Sequence, residues 1–147
     1  MNPLQSWAAP VLDLAKLGFT FQAKPLLIGG MAMEYYGLRK TGRDIDLVVV
    51  AADRERLAVQ YPDHQKDLYG DLGVCIYEFE IWQTICLFDY AFLAQGAIEY
   101  EDCLVISLEK LLFLKALAMK EPKYHRDLEL IVERVLRDQY DRVTTDE

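Results

Sequence analysis

The sequence predicts an α/β or α+β domain in which helices flank a mixed β-sheet, and three observations carry that expectation. Short runs rich in Ile, Val, Leu, Phe, Tyr and Cys recur at 25–28, 44–50, 74–79, 84–92 and 104–106, each with the composition of a strand. Segments of helical composition or three-four apolar spacing stand between and after them, at 4–17, 31–36, 51–60, 107–120 and 127–136. No repeat or low-complexity linker interrupts the 147 residues, so the chain reads as one domain over 1–147.

In order, residues 4–17 place Leu4, Trp7, Ala8, Val11, Leu12 and Ala15 on one face of an amphipathic helix that Gly18 ends. Residues 25–28 make a short buried strand, stopped by Gly29 and Gly30. The helix at 31–36 closes at Gly37, a C-cap, and 39–43 is a polar loop before the strand at 44–50. Residues 51–60 form a charged surface helix. Residues 61–73, with Pro62, Gly70 and Gly73, read as loop, followed by strands at 74–79 and 84–92. After a strand at 104–106, Ser107 offers an N-cap for a helix to about Lys120, Pro122 breaks it, and 127–136 is a second C-terminal helix.

Composition narrows the function classes. The net charge is −8 with 27% charged and 52% hydrophobic residues, so a real core is available without staples or structural metals. An acidic chain without clustered Lys and Arg does not suit a long nucleic-acid footprint, and an anionic substrate must be met locally. Cys75, Cys86 and Cys103 are odd in number, lack C-x-x-C spacing and sit among apolar neighbours, as buried free thiols of a reducing compartment do. The start, Met1-Asn2-Pro3-Leu4, has no basic region of a signal peptide. The greasiest stretch, 104–119, contains Ser107, Glu109, Lys110 and Lys115, short of the ~20 apolar residues a membrane span needs. The expectation is a cytoplasmic protein with no membrane partner.

The chemistry concentrates in two places. Asp44 and Asp46 are two apart at the start of a hydrophobic strand, so their carboxylates share a face. Like charges so close repel, and a divalent cation resolves the repulsion; oxygen-only ligands favour Mg2+ or Mn2+. Alone, D-x-D is equally a turn or a solvated strand end. Gly29 and Gly30, after a buried strand and before a helix, let backbone N–H groups approach a phosphate, although a strand-to-helix turn needs no ligand. Asp89, isolated in the strand-like run 84–92, is costly to bury without a partner, and a neighbouring strand would bring it to the same metal. Glu78 and Glu80 rank below it, because their alternation with apolar residues is what a half-exposed strand gives.

In this order the motifs resemble the nucleotidyltransferase superfamily of the DNA polymerase β type, in particular its small prokaryotic members related to antitoxins and abortive-infection proteins. The resemblance covers about 26–132. It rests on Leu27-Ile28-Gly29-Gly30-Met31-Ala32, on Tyr36-Gly37-Leu38-Arg39-Lys40-Thr41-Gly42-Arg43-Asp44-Ile45-Asp46-Leu47-Val48, on Phe88-Asp89, and on 105–112 leading to Lys115 and Asp127.

The resemblance implies a nucleotidyltransferase fold with C-terminal helices, and Asp44, Asp46 and Asp89 as catalytic carboxylates and ligands of Mg2+ or Mn2+. It also implies nucleotide binding by Gly29, Gly30, Arg39, Thr41, Arg43, Lys115 and Asp127. The activity it implies is transfer of NMP from an NTP to a hydroxyl of an RNA, a protein or a small molecule, the protein acting as a homodimer or with a partner protein. The rivals are a catalytically inactive binding or antitoxin-like module of the same fold, and a structural domain with unrelated aspartates. The chain departs from the family in having Gly-Gly where Gly-Ser is frequent, which removes a hydroxyl, and in lacking a second domain for an acceptor.

Without the resemblance, Lys115 reads as a lysine whose stem lies along the core while its ammonium reaches water. Asp127 then reads as a solvated helix start. His64 and His125 read as surface residues, and Tyr35 and Tyr36 as core and rim aromatics rather than a base-stacking platform.

Overall fold

Strand β1 (Leu26–Ile28) is apolar at every position and buried at every position, and the rest of the sheet is laid on either side of it. In the computed structural model, which describes residues 8–145, β1 pairs antiparallel with β2 (Ile45–Val48), and Ile28 stands opposite Asp46. Strand β2 pairs in parallel with β5 (Phe79–Trp82), setting Asp46 beside Glu80. Beyond β5 follow β4 (Asp71–Ile76) and the edge strand β3 (Gln65–Leu68), both antiparallel. On the other side β1 pairs in parallel with β9 (Leu104–Val105), which pairs antiparallel with β8 (Ile98–Glu99). The result is a mixed seven-stranded sheet of order β3-β4-β5-β2-β1-β9-β8. Its centre holds Leu26, Leu27, Leu47, Val48, Val74, Ile81 and Val105, all fully buried. The mixed sheet with helices is the fold class the sequence predicts.

Helix α1 (Gly29–Tyr35) begins two residues earlier than expected and contains both glycines. It ends in a Schellman motif, with Gly37 N–H donating to Glu34 O at 2.9 Å and Leu38 N–H to Met33 O at 3.0 Å. Gly37 has φ +71°, a conformation an L side chain resists. Helix α2 (Ala51–Gln60) has the expected bounds. Its Asp53 is fully buried, accepting from Gln22 and Ala23 N–H and from Arg56, which ties the segment before β1 to this helix.

Three expectations are corrected. Of the N-terminal helix expected at 4–17, the described residues show a 3-10 turn at Leu14–Leu17, with 8–13 irregular; Leu4 and Trp7, like Met1-Asn2-Pro3-Leu4, lie outside the described residues. Pro10, which has no N–H to donate, disfavours a helix running through this stretch. The loop expected at 61–73 contains β3 and the start of β4, joined by Tyr69 and Gly70, both at positive φ, as a two-residue hairpin turn requires. The strand expected at 84–92 is a small separate hairpin, β6 (Thr84–Ile85) with β7 (Phe88–Asp89), followed by the one-turn helix α3 (Tyr90–Leu93). Its turn residues Cys86 and Leu87 have φ +49° and +66° without being glycine. The Asp71 carboxylate holds them there, accepting from both N–H groups at 2.9 and 2.8 Å and from Thr84 Oγ1 at 2.7 Å. The Cys86 thiol is accordingly exposed; Cys103 is buried and Cys75 half-buried.

The chain divides into two compact units, the second beginning at Leu108. This second unit contains α4 (Leu108–Leu117), a 3-10 turn at Pro122–Tyr124, and α5 (His125–Thr145), which runs well past the expected 127–136. Among the described residues no helix is long and apolar enough to cross a membrane.

Candidate functional site

The turn from β1 into α1 is shaped by what it lacks. Gly29 has φ +68°, and a Cβ there would run into the Asp46 carboxylate, so the acid lies directly against bare backbone. At Gly30 a Cβ would stand 2.8 Å from Thr41 Oγ1 and 3.6 Å from Arg39 Nη1. The loop after α1 therefore folds back over the glycines and puts a hydroxyl and a guanidinium at the place a Gly30 side chain would occupy. Thr41 Oγ1 is buried without a hydrogen-bond partner, an arrangement that costs energy unless something is to be bound. The Thr41 N–H donates to Glu34 Oε1 at 3.3 Å, which fixes the loop to α1. Arg39 Nη1 donates to Lys40 O at 3.0 Å.

The same corner gathers carboxylates. Asp46 and Glu80 are register partners on parallel strands, roughly 4.8 Å apart in backbone spacing, with both side chains half-buried. Asp44 lies exposed two residues before Asp46, and Arg43 is exposed beside it. Cys75 pairs with Glu80 from the other side and reports the local field. Burial first, and then the charge of Glu80, push its thiol up; Lys66 opposes the rise, and Asp46 and Asp44 add to it. Like charges aligned across strands are destabilising by themselves. Among the described residues no group of three or more His, Cys, Asp or Glu is arranged to hold a metal. Mg2+ takes one or two carboxylates and completes its shell with water and phosphate oxygens, a demand Asp46 with Glu80 or Asp44 meets.

The structure brings together Gly29, Gly30, Arg39, Thr41 and Asp46, with Asp44 and Arg43 at the loop end. It does not bring Asp89 to them. Asp89 pairs with Thr84, beyond the far end of β5, while Glu80 lies near its start. The exposed Asp89 carboxylate is the N-cap of α3, accepting from Phe92 N–H at 3.0 Å. The strand that runs beside Asp46 is β5, which carries Glu80 rather than Asp89. Only the parallel β2–β5 register identifies Glu80, and that register joins residues too far apart in sequence to be read from spacing.

In the second unit, Lys115 and Asp127 do not behave as the solvated residues composition suggests. Lys115 Nζ stands 3.0 Å from Asp127 Oδ2, both side chains are buried, and the ammonium lies 4.7 Å from the centre of the Tyr124 ring. The ammonium is therefore closed on a partner rather than reaching to water. Tyr36 is a core aromatic, its hydroxyl donating to Ile106 O at 2.7 Å. Tyr35 is half-buried at the rim, its hydroxyl 2.7 Å from that of Tyr100. His64 and His125 are exposed.

Compared with family models, with curated proteins and with solved structures, the chain finds no match.

Proposed function

We propose that the chain is a metal-dependent nucleotidyltransferase that moves NMP from an NTP to a hydroxyl acceptor. The observation that supports this most strongly is the corner where an unpartnered buried hydroxyl and a guanidinium stand over side-chain-free backbone, directly beside a carboxylate. Backbone without a Cβ admits phosphate oxygens closely, and Thr41 Oγ1 and Arg39 are donors for them. Asp46, with Glu80 or Asp44, would hold Mg2+ or Mn2+. When bound, the metal would supply charge neutralisation at the triphosphate and a lowered pKa for the acceptor hydroxyl. In this reading Arg43 adds positive charge at the loop mouth, Asp89 is a helix cap, and Lys115 with Asp127 is an ion pair between α4 and α5 rather than a nucleotide contact.

The acceptor belongs to an RNA, a protein or a small molecule. A cytoplasmic setting, a homodimeric state or a toxin–antitoxin partner belong to the same proposal. Purified protein incubated with α-labelled NTPs, Mg2+ and total cell RNA, proteins and small molecules tests it. The expected result is label transferred to one acceptor class together with release of pyrophosphate, both lost in Asp46→Asn. NTP binding without any transfer would leave the inactive module as the better description.

A further inference from the structure

We infer that the cavity beside α1 is the nucleobase site and that Glu34 makes it select guanine; the inference rests on the nucleotide reading above. An open-sided cavity of ≈ 350 Å³ lies against the helix, lined by Pro10, Met31 and Tyr35, which are half-buried, and by Ala8, Val11 and Glu34, which are exposed. That is within the size of small-molecule sites, about 300–1,000 Å³. Its place follows from the helical period. Met31 directly follows Gly30, and Glu34 comes one turn later, about 6 Å along the axis from the glycine turn. The loop that stands over Gly30 also reaches the cavity, because the Thr41 N–H donates to Glu34 Oε1 at 3.3 Å. Phosphate cradle and cavity thus share one helix and one loop.

The lining divides the recognition into two parts. Pro10, Val11, Met31 and the Tyr35 ring offer apolar surface to a flat heterocycle, while the Tyr35 hydroxyl is engaged by Tyr100. Of the six lining residues, Glu34 alone is charged. A carboxylate only accepts hydrogen bonds, and its two oxygens have room for more than the Thr41 N–H. Guanine presents two adjacent donors on its Watson–Crick edge, N1–H and the N2 amino group, spaced for the two oxygens of one carboxylate. Adenine and cytosine present one amino donor beside a ring-nitrogen acceptor. Uracil presents one N–H between two carbonyls. A site built on this one carboxylate ranks guanine first and uracil last.

Isothermal titration of the full chain with GTP, ATP, CTP, UTP and inorganic tripolyphosphate, each with Mg2+, separates cavity from cradle. GTP is expected to bind about tenfold or more tighter than UTP, the size of one charge-assisted contact. Glu34→Gln keeps an acceptor for the Thr41 N–H but offers a donor to guanine's donors. It should bring GTP to within about threefold of ATP while leaving tripolyphosphate binding unchanged. Equal affinities for the four nucleotides, or a GTP preference that survives Glu34→Gln, overturn the base site and leave the cradle standing. Failure of tripolyphosphate and of every nucleotide to bind overturns the cradle, and this inference with it.

Discussion

Two pairs of charged side chains differ in sign, in burial and in how they are partnered. Lys115 and Asp127 are opposite in sign, buried, and closed on each other at 3.0 Å. Asp46 and Glu80 are alike in sign, half-buried, and aligned across two parallel strands next to bare glycine backbone. The first pair satisfies itself and ties one helix to the next. The second sets like charges side by side across two strands, which is unfavourable by itself, and on the proposed reading a bound cation would offset it.

The largest expected effect breaks the matched pair. Lys115→Met leaves Asp127 buried without its counter-charge and should cost about 3–5 kcal/mol in equilibrium denaturation. Lys115→Met combined with Asp127→Leu should recover most of that loss, because an apolar pair of similar volume tolerates burial. Full stability of the single variant would show that the pair is incidental. The next effect addresses the unmatched pair: Mg2+ with NTP should raise stability by about 2.7 kcal/mol at a hundredfold excess over Kd, read as a rise in Tm, and Asp46→Asn should abolish the rise. An unchanged Tm with Mg2+ and with Mn2+ across all four NTPs would remove the cation from the site.

Gly29→Ala forces an L side chain into φ +68° against the Asp46 carboxylate. It should cost at least about 1–2 kcal/mol and eliminate nucleotide binding, checked by denaturation and titration of one preparation. Asp89→Ala removes the cap on Phe92 N–H, at a cost of about 1 kcal/mol, yet should leave the Mg2+–NTP shift intact. Loss of that shift would return Asp89 to the metal site. The smallest effect has the opposite sign. Glu80→Gln relieves repulsion and should stabilise the metal-free protein by about 0.2–1 kcal/mol while weakening its response to Mg2+. Destabilisation instead would mean that Glu80 has a structural partner.

What could be read from the chain follows the reach of the forces that shape it. β1, the glycine turn, the Gly37 cap and α2 were legible because local rules decide them: an apolar run, two glycines, a C-terminal glycine, a charged ten-residue helix. β3 was not, because Gln65, Lys66, Asp67 and Leu68 are all exposed at a sheet edge and carry no alternation. Asp89 was misplaced because a tight turn at Cys86 and Leu87 uses none of the usual turn residues; its stabilising carboxylate comes from Asp71, fifteen residues before Cys86. Glu80 ranks below Asp89 in the sequence, and the Lys115–Asp127 contact is missed there, for the same reason, a partner fixed by packing rather than by sequence spacing.

The register of Leu26 with Leu104 also sets a timetable. A chain emerging from the ribosome at roughly 5–20 residues per second makes β1 and β2 early, but the strand that closes β1's other side follows only after roughly 4–16 seconds. Throughout that interval β1, apolar at every position, would have only one of its two sheet partners, and an unpaired strand edge is a template for another chain. Slowing synthesis after β1 has emerged and before β9 has should therefore raise the share of newly made protein that aggregates.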